Sequence, residues 1–112
     1  MSLEHQVRLL TPSVLLVGLK GILDAGTAIA FEMAISGHLK SSELKTVILE
    51  VPELSFVSSS GLRVFMLIIK SLSPRKGKLY MVGAGDQLAG LVKMSGMTKW
   101  IHLRGSVQEC ES

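Results

Sequence analysis

Cysteine is nearly absent from this sequence. The single thiol, Cys110, lies two residues from the end of 112. One cysteine cannot form an intrachain disulfide, and a metal site built on cysteines is excluded. That usage fits a reducing compartment, and a free thiol in a tail reads as incidental, with intermolecular crosslinking the minor alternative. Aromatic residues are scarce as well, at 4%. The core must therefore be aliphatic, and few rings are on hand to stack on bases. Clustered charge is missing too. The formal net charge is +3, but its carriers are dispersed. The densest basic stretch, "SPRKGK" from Ser73 to Lys78, falls between a helix-like and a strand-like segment. It reads as a solvated loop in preference to a site for phosphate or a membrane surface. No apolar run reaches the length of a membrane span, because Glu50, Arg63 and Lys70 interrupt the best candidates. No basic region followed by an apolar stretch opens the chain, so no signal peptide is expected. These absences predict a cytoplasmic protein with no direct nucleic-acid partner and no membrane insertion.

Apolar residues, in contrast, make up 47% of the chain. That is ample for one core, and the length fits a single domain over residues 1–112. Residues 1–4 read as an extraneous or disordered lead and residues 106–112 as a tail. The apolar excess predicts that some apolar surface is used on a partner, and it would permit a homodimer. "HQVRLL", His5 to Leu10, partly alternates and reads as an edge strand. After the Thr-Pro break, Ser13 to Gly21 reads as a second strand, antiparallel to the first. The next segment turns helical, with Asp24 or Thr27 able to cap its start and Gly37 breaking its last turn. Ile29, Phe31, Met33 and Ile35 give it a broad apolar stripe.

Leu44 to Val51 is rich in β-branched residues and nearly continuous in apolar content, as a central strand covered on both faces would be, and Pro52 stops it. A helix then runs from the serines to about Leu72. Lys78 to Gly85 is another strand, and Asp86 to Met97 a helix with Asp86 at its mouth. "WIHLRG" is a last short strand, and the tail adds at most a partial turn. The order β-β-α-β-α-β-α-β predicts a small α/β domain with a mixed, mostly parallel sheet and helices packed on it.

The chemistry-bearing stretch is "FVSSSGLRVFMLIIKSL", Phe56 to Leu72. Ser58, Ser59 and Ser60 stand at the mouth of an apolar helix, where free backbone N–H groups and the positive end of the helix dipole converge. Such a place stabilises an oxygen-rich anion. Capping explains one serine, at most two. Arg63 and Lys70 share the exposed face of this helix, while Val64, Phe65, Ile68 and Leu72 supply the buried one. Met66, Leu67 and Ile69 are left over, to pack under a neighbouring helix or to form an apolar collar for a partner.

A serine nucleophile needs a base and an orienting acid. His5, His38 and His102 lie far apart in the sequence, and no G-x-S-x-G elbow exists. "GAGDQLAG", from Gly83, lacks the Gly-Lys-Ser/Thr of a phosphate loop and reads as a tight strand-to-helix turn. No catalytic, metal or cofactor site is expected. What remains is a serine presented to an outside enzyme. Phosphate there would add roughly −1.5 to −2 charges at neutral pH. The helix terminus tolerates that charge, whereas a partner docked on an apolar collar does not.

These residues resemble the STAS domain family of bacterial anti-sigma factor antagonists. "FVSSSGLRVF" is similar to the family's Asp-Ser-Ser-Gly-Leu segment. "LKGILDAGTA", Leu19 to Ala28, looks like its L-x-G-x-L-D-x-x-T segment, and "KTVILEVPELSFVSSSGL" like its central strand and phosphorylation loop. "KLYMVGAGDQLAGLVKMSGMTKWI" resembles its fourth-strand and third-helix region. The resemblance implies no enzyme activity but a protein switch. The antagonist binds an anti-sigma factor that is also a serine kinase, the kinase phosphorylates it, and a phosphatase reverses the modification. Carried over by position, the acceptor is Ser59, with Ser58 and Ser60 as alternatives. The implied partner surface is Asp24, Ser58, Ser59, Ser60, Gly61, Leu62, Arg63 and Met66. Ser58 stands where the family has aspartate, which removes an acidic group beside the acceptor. That departure keeps a second reading open, a non-phosphorylated STAS subunit of a stress-signalling or lipid-transport assembly.

Overall fold

A computed structural model describes residues 2–110 of the chain. Five strands form one sheet in the spatial order of the sequence. They are β1 (Leu3–Thr11), β2 (Val14–Leu23), β3 (Thr46–Val57), β4 (Lys78–Val82) and β5 (Ile101–Arg104). β1 is antiparallel to β2, and every later pair is parallel. The crossovers are α1 (Ala25–Leu39), α2 (Ser59–Leu72) and α3 (Asp86–Met94). Buried residues of all three helices join one core cluster on one face of the sheet, as expected for right-handed crossovers that step the same way across it.

Alternation along the strands confirms two unequal faces. Leu15, Val17, Leu19, Val47, Leu49, Leu79 and Met81 join Phe31, Ile35, Phe65 and Ile68 of the helices in the main core. The intervening Val14, Ile48, Tyr80 and Val82 form a smaller cluster on the other face, against which Val107 and Cys110 pack. The end of the chain thus folds back on the sheet with a 3-10 turn at Val107–Glu109. The rest of the expected tail, and residue 1, lie outside the described residues.

Several boundaries differ from those expected. β1 begins at Leu3, so Leu3 and Glu4 belong to the sheet, opposite Gly21 and Lys20. β2 runs on to Leu23 because Gly21, at φ +103°, absorbs a register shift. A side chain there would strike the Ser2 carbonyl. Pro52 does not stop β3. Pairing with β4 ends at Glu50 opposite Val82, so no strand on that side needs the missing N–H. On the β2 side Pro52 falls within the shift between Gly18 and Lys20. α1 continues through Gly37, which has open space around it. β4 ends at Val82, where Gly83 turns the chain at φ +79° against Pro52. Gly85, not Asp86, is the N-cap of α3, and that helix ends at Met94, before Gly96 at φ +76°.

The basic stretch after α2 is not merely solvated. Arg75 donates to the carbonyls of Leu39 and Leu44 at 3.1 Å each, and to that of Ser41. It therefore clamps the carbonyl end of α1 to the loop before β3, with a cation where the helix dipole favours one.

Candidate functional site

The last β2–β3 pair is Leu23 opposite Val57. Because these strands are parallel, Asp24 and Ser58 leave the sheet side by side, and each opens a helix. The Ser58 N–H donates to the Leu23 carbonyl at 2.9 Å, which fixes their level. The long β3 that Pro52 failed to stop is what carries the serines to this height.

Asp24 and Ser58 are both N-caps. Asp24 Oδ1 accepts from the N–H groups of Gly26 at 3.0 Å and Thr27 at 3.1 Å. Thr27 Oγ1 accepts from the Asp24 N–H at 2.9 Å, closing a capping box, and donates to the Ile22 carbonyl at 2.8 Å. The Asp24 carboxylate is thus occupied in starting α1. Ser58 Oγ accepts from the Gly61 N–H at 3.4 Å. Serine and aspartate are near equivalents as N-caps, so a serine at this position keeps the helix start and gives up only the charge. The first intrahelical bond runs from the Leu62 N–H to the Ser58 carbonyl at 3.0 Å. The Ser59 and Ser60 amides precede it and have no carbonyl within the helix. No acid lies in the first turn of α2 to compete for them.

Exposure sorts the expected partner residues. Ser59 and Arg63 are exposed, while Asp24, Ser58, Ser60, Leu62 and Met66 are half-buried. Gly61 is buried. A Cβ there would meet Leu23 Cγ at 2.7 Å and Val57 Cγ1 at 2.8 Å, so Gly61 cannot face a partner and instead lets α2 close on the sheet. Val64, Phe65, Ile68, Ile69 and Leu72 are buried as core. Of the residues left over in the sequence, Ile69 joins them, Met66 packs partly against the core and Leu67 is exposed.

The broad apolar stripe expected on α1 divides between two faces. Ile29 and Met33 lie on the outer one. They are 66% and 73% exposed, and Ala28, Phe31, Ile35 and Leu39 make the buried face. A spacing of four marks Ile29 and Met33 as a second face, but both faces are apolar and the sequence does not rank them. Phe56, two residues before Ser58, is 55% exposed. It lines a groove of 710 Å³ between the end of β3 and the start of α3, with Leu54, Val57, Gly85, Leu88 and Leu91.

No histidine is brought to the serines. His5 lies opposite Leu19, His38 lies in the last turn of α1, and His102 packs against Tyr80 with ring centroids 5.5 Å apart and the rings tilted by 44°. Burial, then the neighbouring Arg104 and Lys78 charges, hold the His102 pKa below the usual histidine value. Burial likewise raises that of the Cys110 thiol, so it is a poor nucleophile at neutral pH. Among the described residues no group of three or more His, Cys, Asp or Glu is placed to hold a metal ion, and no helix is long and apolar enough to cross a membrane.

Residues 8–110 match the family model described as the STAS domain. The anti-sigma-B factor antagonist of Listeria monocytogenes is 30% identical over 84 residues, 75% of this chain and 73% of that protein. The crystal structure of an anti-sigma factor antagonist from Mycobacterium paratuberculosis is similar with a TM-score of 0.82 at 22% identity, over 96% of this chain and 90% of that one. The Bacillus cell fate determinant SpoIIAA in its phosphorylated form is similar with a TM-score of 0.77 at 21% identity, over 95% of each chain. At these identities the two structures establish the fold.

Proposed function

The chain belongs to the STAS domain family, and from that premise we propose that it is an anti-sigma factor antagonist switched at Ser59. It binds an anti-sigma factor that is also a serine kinase, and it is released when that kinase phosphorylates it. A phosphatase resets it. The observation that carries this reading is the division of labour among three consecutive serines. Ser58 caps α2 and Ser60 is half-buried, which leaves Ser59 exposed and outside the cap. Its hydroxyl is open to an outside enzyme, beside amides that favour an anion.

Exposed Ile29, Met33, Phe56 and Leu67 supply the apolar surface on which a partner can dock. Phosphate at Ser59 would bring a hydrated dianion to such an interface, and its desolvation weakens binding while the helix terminus keeps the fold intact. The name of the Listeria relative and the phosphorylated form of SpoIIAA support the same reading.

One observation favours a second reading. Ser58 preserves the cap without an acidic charge beside the acceptor, as suits a STAS subunit of a larger assembly with no phosphoswitch. Phosphosite mapping of the protein from its own host, with and without stress, separates the two. We expect phosphate on Ser59 that varies with stress. We also expect Ser59→Asp to weaken binding to the kinase-type anti-sigma factor by about tenfold or more, while Ser59→Ala binds but is not modified. Bare serines at 58, 59 and 60 in both states, with Ser59→Asp binding unchanged, would establish the assembly subunit instead.

A further inference from the structure

β1 leaves one edge of the sheet open over nine residues, whereas the opposite edge, β5, has four. Long open edges are ordinarily blunted by proline, lysine or a bulge. Between Leu3 and Leu9, β1 has no proline, lysine or bulge, and its charged side chains, Glu4 and Arg8, are of opposite sign, so they repel a second copy less than a single-sign edge would. Its register with β2 is unbroken there, and Pro12 lies beyond its end. The outward-facing groups can be assigned. The Ile22 N–H donates to the Ser2 carbonyl at 3.2 Å, so Ser2 faces β2. Alternation in an antiparallel ladder then turns the N–H and C=O of Leu3, His5, Val7 and Leu9 away from the sheet. The side chains of Leu3 and Val7 are only partly covered by the core, and Leu9 is 48% exposed.

We propose that β1 pairs antiparallel with β1 of a second copy of this chain, about a two-fold axis at Gln6. In that register Leu3 and His5 stand opposite Leu9 and Val7 of the second copy. All four outward-facing residues find partners, giving about eight backbone hydrogen bonds. Glu4 stands opposite Arg8 of the second copy, twice by symmetry. Arg8 lies across from the apolar Leu16, and Glu4 lies across from Lys20, whose amine pairs with Glu53 at 3.1 Å and feels the Glu4 charge only more weakly. Sliding the pairing by one step either way sets Glu4 against Gln6 or Leu10, so charge selects this register. The dimer joins two five-stranded sheets into one, keeps all helices on one face and sends the two serine loops to opposite ends, each free for its own partner. This inference does not depend on phosphorylation.

Sedimentation equilibrium tests it. We expect wild type to approach twice 12.1 kDa reversibly with concentration. Arg8→Glu should raise the dissociation constant about tenfold, and the exchange Glu4→Arg with Arg8→Glu should restore it. A non-hydrogen-bonded pair on the axis has its Cα atoms about 4.5 Å apart, within disulfide reach. Gln6→Cys in a Cys110→Ser background should therefore crosslink two copies on mild oxidation. Wild type that stays at 12.1 kDa up to its solubility limit overturns the proposal. So does a dimer that survives Arg8→Glu but is lost on Met33→Glu, since the apolar α1 face would then be the interface. A dimer that does not crosslink at position 6 refutes the register.

Discussion

A Cβ at Gly61 would sit 2.7 Å from Leu23 Cγ and 2.8 Å from Val57 Cγ1. Both neighbours lie in the last β2–β3 pair, directly beneath the serines. One missing side chain therefore sets the height of the whole site. Gly61→Ala should cost about 1–3 kcal/mol by overpacking, read from the denaturant midpoint. It should also displace Ser58 and weaken its cap. An unchanged midpoint would mean that the helix start can lift without strain, and Gly61 would lose its positioning role.

At the scale of the element, α1 and α2 are built on different rules. α2 has one apolar side against Arg63 and Lys70, so Val64, Phe65, Ile68 and Leu72 were legible as its buried residues, whereas the burial of Gly61 and Ile69 was not. α1 is apolar nearly all round, and its buried face was settled by contact with the sheet and α2. Gly37 shows the same point. Its sequence suggests a helix end, yet Arg75 holds the Leu39 carbonyl and the helix runs to Leu39. A methyl group at Gly37 would meet nothing within 4 Å. Gly37→Ala should therefore stabilise the domain by about 0.5–1 kcal/mol. A destabilised variant in thermal unfolding would show that Gly37 serves a contact that α1 makes elsewhere.

At the scale of the whole molecule, the sheet is covered by helices on one face and by little more than the C-terminal turn on the other. His102 sits on that second face, against Tyr80, with Arg104 5.4 Å above the same ring. Burial, then the Arg104 and Lys78 charges, lower its pKa in the folded state. The unfolded chain therefore takes up a proton near the ordinary histidine value of about 6.5 while the folded chain resists it. Stability from this site is complete above that pH and declines as pH falls through it toward the folded value. Urea midpoints taken either side of that pH should show a smaller acid loss in His102→Gln than in wild type. Equal losses would place the pH sensitivity elsewhere.

The element order, the antiparallel start, the parallel remainder and the position of three serines at a helix mouth were all set by local pattern. Alternation, β-branched runs and turn residues act over a few positions, and those positions can be read directly. Which serine is exposed, which α1 face is buried and how far β3 reaches were decided only in three dimensions. Pro52 lies in β3 because β4 has already ended beside it, and Gly61 is buried because Leu23 comes up from another strand. Each of these outcomes depends on a neighbour distant in sequence, and no local pattern carries the identity of that neighbour.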